Sequence, residues 1–241
     1  KKMTYPSVLS IAGFDGSGGA GIQADLKTIS ALGCYATTVL TALPVQNTTG
    51  VKSIFSIPVT VVEEQLKSIF DDILPSAIKI GMVHTPQLVE TIAKSLTENP
   101  KIPVVFDPVM VATSGHKLIE DPTIKSIVTH LFPLASVITP NMDEASLLAK
   151  MEVKSLDDMH TAGRKIMQLG CKSVLLKGGH LQTDILTSLY FKEDGSVIEY
   201  EYKRYETNNM HGSGCTLSSA ISSYIAQGES LENAVKMGQD Y

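Results

Sequence analysis

The sequence predicts a single α/β domain over residues 1–241, built on a mainly parallel sheet with helices on both faces. Three observations support this. Short β-branched runs alternate with stretches of helical periodicity along the chain. No linker, low-complexity segment or charge block divides it. One late segment, Leu186–Phe191 and Ser196–Tyr202 around Glu193-Asp194-Gly195, reads instead as an antiparallel hairpin.

In chain order, Val8–Ile11 reads as a strand and Ala20–Leu32 as a helix closed by Gly33. Thr37–Leu43 is the next strand. Thr60-Val61-Val62-Glu63 has the pattern of a capping box, followed by Leu66, Ile69 and Phe70 at helical spacing. Ala77–Ile80 is a strand, and Thr85-Pro86 is an N-cap with proline at the first helical position. Pro103–Asp107 and Ser136–Thr139 are strands that end on polar residues. Ser155 caps a helix whose Met159, Ala162, Ile166 and Leu169 form one stripe, and Ser173–Lys177 is again a strand. Leu32-Gly33-Cys34 and Leu169-Gly170-Cys171 echo each other, each ending a helix on glycine and opening a strand on cysteine. The last helix, from Ser230, reaches Tyr241 with no C-cap signal, so the reading expects the chain to continue.

Composition narrows the function classes. With 43% hydrophobic residues the chain can bury a sizeable core, and a balance of 20 Lys+Arg against 25 Asp+Glu disfavours a broad nucleic-acid face. No apolar run approaches the ~20 residues of a membrane span, and no signal-peptide core is seen at the N-terminus. Three scattered cysteines without a CxxC argue against a disulfide framework or zinc site, so the expected setting is a reducing cytoplasm.

Four segments carry candidate chemistry. Gly13 to Gly21 contains G-x-G-x-x-G after a strand and before a helix. The dinucleotide reading suffers because its first glycine is late and the second strand ends without a carboxylate. A turn needing positive φ, or a platform for a flat ligand with Asp25 nearby, remains open. His211-Gly212-Ser213-Gly214-Cys215-Thr216 precedes an apolar helical stripe, so its amides can cradle an anion and the helix dipole is expected to lower the Cys215 thiol pKa. The plain alternative is a small buried cysteine. Asp107, Asn141 and Glu144 stand at strand ends, where two carboxylates and an amide suit a water-rich magnesium site; capping and turn roles explain them too. Lys177-Gly178-Gly179-His180 offers a cation and close backbone approach to a phosphate, or only a solvated turn.

Taken in order, Ala12–Asp25, Gln46-Asn47-Thr48, Lys79-Ile80-Gly81-Met82, Asp107-Pro108-Val109-Met110, Thr139-Pro140-Asn141, Lys177–His180 and His211–Thr216 resemble the hydroxymethylpyrimidine and phosphomethylpyrimidine kinases of thiamine biosynthesis. The resemblance implies a ribokinase-like three-layer sandwich, Mg2+ with ATP as co-substrate, and a homodimer. It implies that Gly13, Ala20, Asp25, Gln46, Met82 and Val109 hold the aminopyrimidine. Gly212, Ser213 and Gly214 would form the anion hole, with Cys215 as base where most ribokinase relatives carry aspartate. Asp107 and Glu144 would be linked to the metal, and Asn141 and Lys177 to the nucleotide. The expected reaction is phosphorylation of 4-amino-5-hydroxymethyl-2-methylpyrimidine and then of its monophosphate. Pyridoxal kinase on the same scaffold is the nearest rival, and Ala112 stands where some such relatives carry a second cysteine. A non-catalytic pyrimidine-binding module is a more distant one. Thr113 and Gln239 depart from lysines expected at those places.

Overall fold

The computed structural model describes residues 5–112, 116–179, 184–203 and 213–241. Its first strand, β1 (Ser7–Ala12), is buried along its whole length, as a central strand covered on both faces must be. Helix α1 (Gly21–Ala31) follows, then β2 (Tyr35–Leu40), parallel to β1. The chain then leaves the main sheet. β3 (Ala42–Asn47) and β4 (Gly50–Ser56) form a separate two-stranded antiparallel ribbon.

Helix α2 (Val59–Asp72) returns the chain to β5 (Ala77–Ile80) on the other side of β1. Next come α3 (Pro86–Glu98), β6 (Val104–Phe106), α4 (Asp121–His130), a 3-10 turn at Phe132–Leu134 and β7 (Val137–Ile138). The chain continues with α5 (Met142–Ala149), α6 (Leu156–Met167), β8 (Val174–Lys177), the pair β9 (Ile185–Phe191) and β10 (Val197–Lys203), α7 (Ser213–Ala226) and α8 (Leu231–Asp240). The eight-stranded sheet has the order β10-β9-β8-β7-β6-β5-β1-β2, and only the β8–β9 and β9–β10 pairs are antiparallel.

Alternation along the strands divides the core into two layers. Leu9, Ile11, Phe106, Leu176 and Leu189 face one side, where they pack with α2 through α6. Val8 meets Ile29 and Cys34, while Val105, Val137 and Leu175 meet Ile221, Ala234 and Val235. The second layer is therefore α1, α7 and α8, and the sandwich is three layers deep, as expected.

Several boundaries differ from the sequence reading. The strand expected over Thr37–Leu43 is two strands, broken at Thr41, whose amide donates to Ala12 O and whose hydroxyl donates to Met82 O. Pro44 then has no amide to offer a central ladder, and among the described residues β3 pairs only with β4. The capping box expected at Thr60–Glu63 does not form, because the helix has already begun at Val59 after Pro58 and makes no side-chain cap. Helix α1 opens at Gly21, one residue later than expected. The cysteines after Gly33 and Gly170 precede their strands instead of opening them. The caps at Thr85, Ser155 and Ser230 are present, each side chain accepting an amide of the first turn.

Candidate active site

The order of the sheet fixes where a ligand can sit. β1 lies between β2 and β5, so its successors diverge to opposite sides, leaving a crevice at the carboxyl ends of β1 and β5. The loops after β1, β5, β6, β7 and β8 all open at that end, and α7 points its N-terminus at it.

The glycine-rich loop after β1 is shaped by Asp15, which is fully buried. One carboxylate oxygen accepts the Ser17 amide and hydroxyl, and the other accepts the Gly19 and Ala20 amides at 3.0 and 2.7 Å. Gly21 has φ +58°, and a Cβ there would lie 2.3 Å from Gly13 O, so the loop folds back on its own start. Gln46 reaches across from β3 and donates to Phe14 O at 2.9 Å. Thr41 binds the Met82 carbonyl after β5, and Val109 follows β6 on the adjacent strand. Gly13, Ala20, Gln46, Met82 and Val109 thus border one mouth of the crevice. Asp15 organises that border, a role the sequence reading did not assign; the signal was a carboxylate inside a glycine turn, where backbone amides converge.

On the far side, Asp107 follows β6 and is nearly inaccessible. Its Oδ1 accepts the Thr139 hydroxyl at 3.1 Å and lies 3.7 Å from Lys177 Nζ, at the end of β8. The first residues of α7 meet this pair. A Cβ on Gly214 would stand 3.2 Å from Lys177 Nζ and 3.3 Å from Asp107 Oδ2, so glycine is what allows the helix end to approach. Ser213, Gly214 and Cys215 form the first turn, where amides have no carbonyl four residues back within the helix. His211, Gly212, Thr113 and His180 lie outside the described residues.

Asn141 and Glu144 do form the reciprocal cap of α5. Asn141 Oδ1 accepts the Glu144 amide at 2.8 Å, and Glu144 Oε1 accepts the Asn141 amide at 3.0 Å. Glu144 does more than cap, for its other oxygen accepts the Met110 amide at 3.1 Å, tying α5 to the loop after β6. Burial and the neighbouring Asp107 carboxylate push Glu144 up to about 7, against the pull of Lys177. A carboxylate raised by a second carboxylate beside it invites a cation between the two. Among the described residues no group of three His, Cys, Asp or Glu side chains could enclose a metal. An ion held here by two carboxylates would take its remaining ligands from water and phosphate, which fits magnesium.

Cys215 departs from one expectation. The helix dipole was expected to lower its thiol pKa, but burial pushes the thiol up, reinforced by the Asp25 and Asp107 carboxylates. The Lys79 ammonium and a hydrogen bond from the Gly21 amide oppose that rise. Burial wins because the thiolate loses its water. Asp25, expected to face a ligand ring, is shut from solvent. Its carboxylate receives Lys79 Nζ at 2.9 and 3.0 Å, the Ser10 hydroxyl at 2.5 Å and the Ser219 hydroxyl at 2.7 Å. The sequence motif that contains Lys79 assigns it no role by itself. The available signal was a lysine within the otherwise apolar strand Ala77–Ile80, since a buried cation needs an anionic partner.

Comparison with known proteins agrees with this architecture. The phosphomethylpyrimidine kinase family profile matches residues 15–241. The chain is 40% identical over 240 residues to the hydroxymethylpyrimidine/phosphomethylpyrimidine kinase of Streptomyces coelicolor, covering 99% of this chain and 88% of that one. It is 43% identical over 236 residues to the thiamine biosynthesis bifunctional protein ThiED of Geobacter sulfurreducens, covering 98% of this chain but only 48% of that protein. The chain thus spans about half the length of that relative. The solved structure of a Bacillus subtilis pyridoxal kinase in complex with ADP superposes with a TM-score of 0.91 at 35% identity, covering 99% of this chain and 90% of that one. With its ribokinase-like sandwich and a profile match over nearly its whole length, the chain belongs to the phosphomethylpyrimidine kinase family.

Proposed function

We propose that the chain transfers the γ-phosphoryl group of ATP to the hydroxymethyl group of 4-amino-5-hydroxymethyl-2-methylpyrimidine, and then a second phosphoryl group to the resulting monophosphate. The observation that carries this reading is the meeting of Gly214 and Cys215, on the first turn of α7, with Asp107 and Lys177 at the strand ends. A donor-rich helix end beside a cation and a carboxylate is what phosphoryl transfer needs, because its charge spreads over the equatorial oxygens.

In this reading the aminopyrimidine lies over the glycine loop, bordered by Gly13, Ala20, Gln46, Met82 and Val109. Cys215 acts as the thiolate, which Lys79 and the Gly21 amide favour against burial. It takes the proton of the substrate hydroxyl, becoming the thiol, and the alkoxide displaces ADP in line. Amides of Ser213 and Gly214, with that of Gly212, hold the transferring group, while Lys177 and Asn141 stand on the nucleotide side. Asp107 and Glu144 would hold magnesium, which when bound supplies charge neutralisation at the phosphates. Cys215→Ala is expected to lower kcat by about 10²-fold or more, measured as mono- and diphosphate product by mass spectrometry. Full turnover in that variant would remove the thiol from the mechanism.

The likeness to a pyridoxal kinase favours a second reading on the same chemistry. Parallel incubations with pyridoxal and the pyrimidine decide between them: preferred conversion of pyridoxal would keep the phosphoryl-transfer site and overturn the substrate. A homodimer is also proposed. Every residue of β4 is exposed, and Val51, Ile54 and Phe55 with Leu43 and Val45 of β3 leave an apolar ribbon uncovered.

A further inference from the structure

The buried polar cluster behind Cys215 is not used by the mechanism above. Asp25 lies on α1, Ser10 on β1, Lys79 on β5 and Ser219 on α7, so one carboxylate joins four elements. All four side chains are fully buried. Gly81 is fitted to the cluster as well, because a Cβ there would stand 2.9 Å from Lys79 Nζ. Three donors already occupy the Asp25 carboxylate, which leaves it poorly placed to grip a ligand.

Ser219 is four residues after Cys215 and therefore lies on the same face of α7, one turn deeper. A bond from Ser219 to a carboxylate anchored on the sheet sets the rotation of the helix about its axis. That rotation sets where the Cys215 sulfur and the Gly214 amide point. The Lys79 charge that neutralises Asp25 also acts on Cys215, against the carboxylates.

We infer that Asp25 and Lys79 are positioning residues: a buried ion pair that, through Ser219, fixes α7 so that Cys215 and the phosphate cradle face the substrate. This rests on the phosphoryl-transfer reading, and its test is chosen to fail separately from it. Ser219→Ala removes the link while leaving the ion pair. Its kcat is expected to fall about tenfold with both KM values within about twofold, the pattern of misplaced reacting groups. Ile221→Val loosens the same helix by packing alone and is expected to keep kcat within about twofold at a comparable drop in melting temperature.

The rate of Cys215 alkylation by iodoacetamide at fixed pH is followed in each variant. A changed rate in Ser219→Ala but not in Ile221→Val supports the pin even if Cys215→Ala remains active and the base reading fails. Unchanged kcat and unchanged alkylation in Ser219→Ala would overturn it. Asp25→Asn is expected to lower kcat about 10²-fold without raising the pyrimidine KM. A raised KM at unchanged kcat would make Asp25 a ligand of the ring and also overturn the inference. Should Asp25→Asn not fold, Ser219→Ala decides alone.

Discussion

Lys79 sits without solvent exposure in the middle of a sheet, and only its partners make that tolerable. Desolvation alone would push a lysine toward neutrality, yet Asp25 holds it charged and above its ordinary value. Removing one partner leaves the other as an unpaired buried charge. Lys79→Met is therefore expected to lower the unfolding free energy by about 3–5 kcal/mol, read by urea denaturation. Adding Asp25→Leu is expected to recover part of that stability while activity stays low. His84 gives a residue-scale pH dependence. Its Nε2 pairs with the Ser56 hydroxyl at 3.0 Å, while Nδ1 is buried without a hydrogen-bond partner among the described residues. Burial holds the imidazole below its ordinary 6.5. The unfolded chain thus takes the proton first, so this contribution to stability is full above pH 6.5 and is lost as pH falls through the lowered folded value. Between pH 7 and 5, His84→Gln is expected to show a shallower loss of stability than the parent, by at most about 1.4 kcal/mol per pH unit.

At the scale of elements, the caps show which local signals survive folding. Thr85, Ser155 and Ser230 each precede an amphipathic helix and accept an amide of its first turn, so local chemistry and the fold agree. Thr60 loses its role because Pro58 lets α2 begin earlier. α6 carries a different constraint. Gly163 sits in its interior, where glycine costs about 1 kcal/mol relative to alanine by propensity alone. Yet a Cβ there would lie 2.0 Å from the ring of Phe191 on β9. Gly163→Ala is expected to destabilise the protein by about 1–3 kcal/mol despite its better helix propensity, as a lower urea midpoint would report. The helix–sheet spacing at β9 depends on that missing methyl group.

For the whole molecule, the decisive feature is the divergence of connections around β1. It places the loops after β1, β5, β6 and β8 and the start of α7 around one crevice, though their residues are scattered from Gly13 to Cys215. The β3–β4 ribbon projects from the same loop system and carries Gln46 at its edge, so its cover bears on the site. Phe55 is 64% exposed, unusual for a phenylalanine in a regular strand. Light scattering is expected to give twice the chain mass for the parent protein and the single-chain mass for Phe55→Asp. A parent protein that runs as a monomer would leave the ribbon without this role.

Much was legible in the chain alone. Alternating periodicities give the parallel sheet and the antiparallel hairpin, because strand and helix repeats depend only on which residues can face a core. Gly214, Cys215, Asp107 and Lys177 stood out because each follows a strand or opens a helix, where unpaired amides and charges gather. The departure of β3 from the main sheet was not legible, since its residues suit either sheet and only competition for partners separates them. Nor was the Asp25–Lys79–Ser219 cluster, whose members lie up to 194 residues apart and are joined only when α1, β5 and α7 pack. The rise in the Cys215 pKa was hidden for the same reason. A helix dipole is local and can be read from sequence, but desolvation and distant carboxylates act through space and exist only once the fold encloses the thiol.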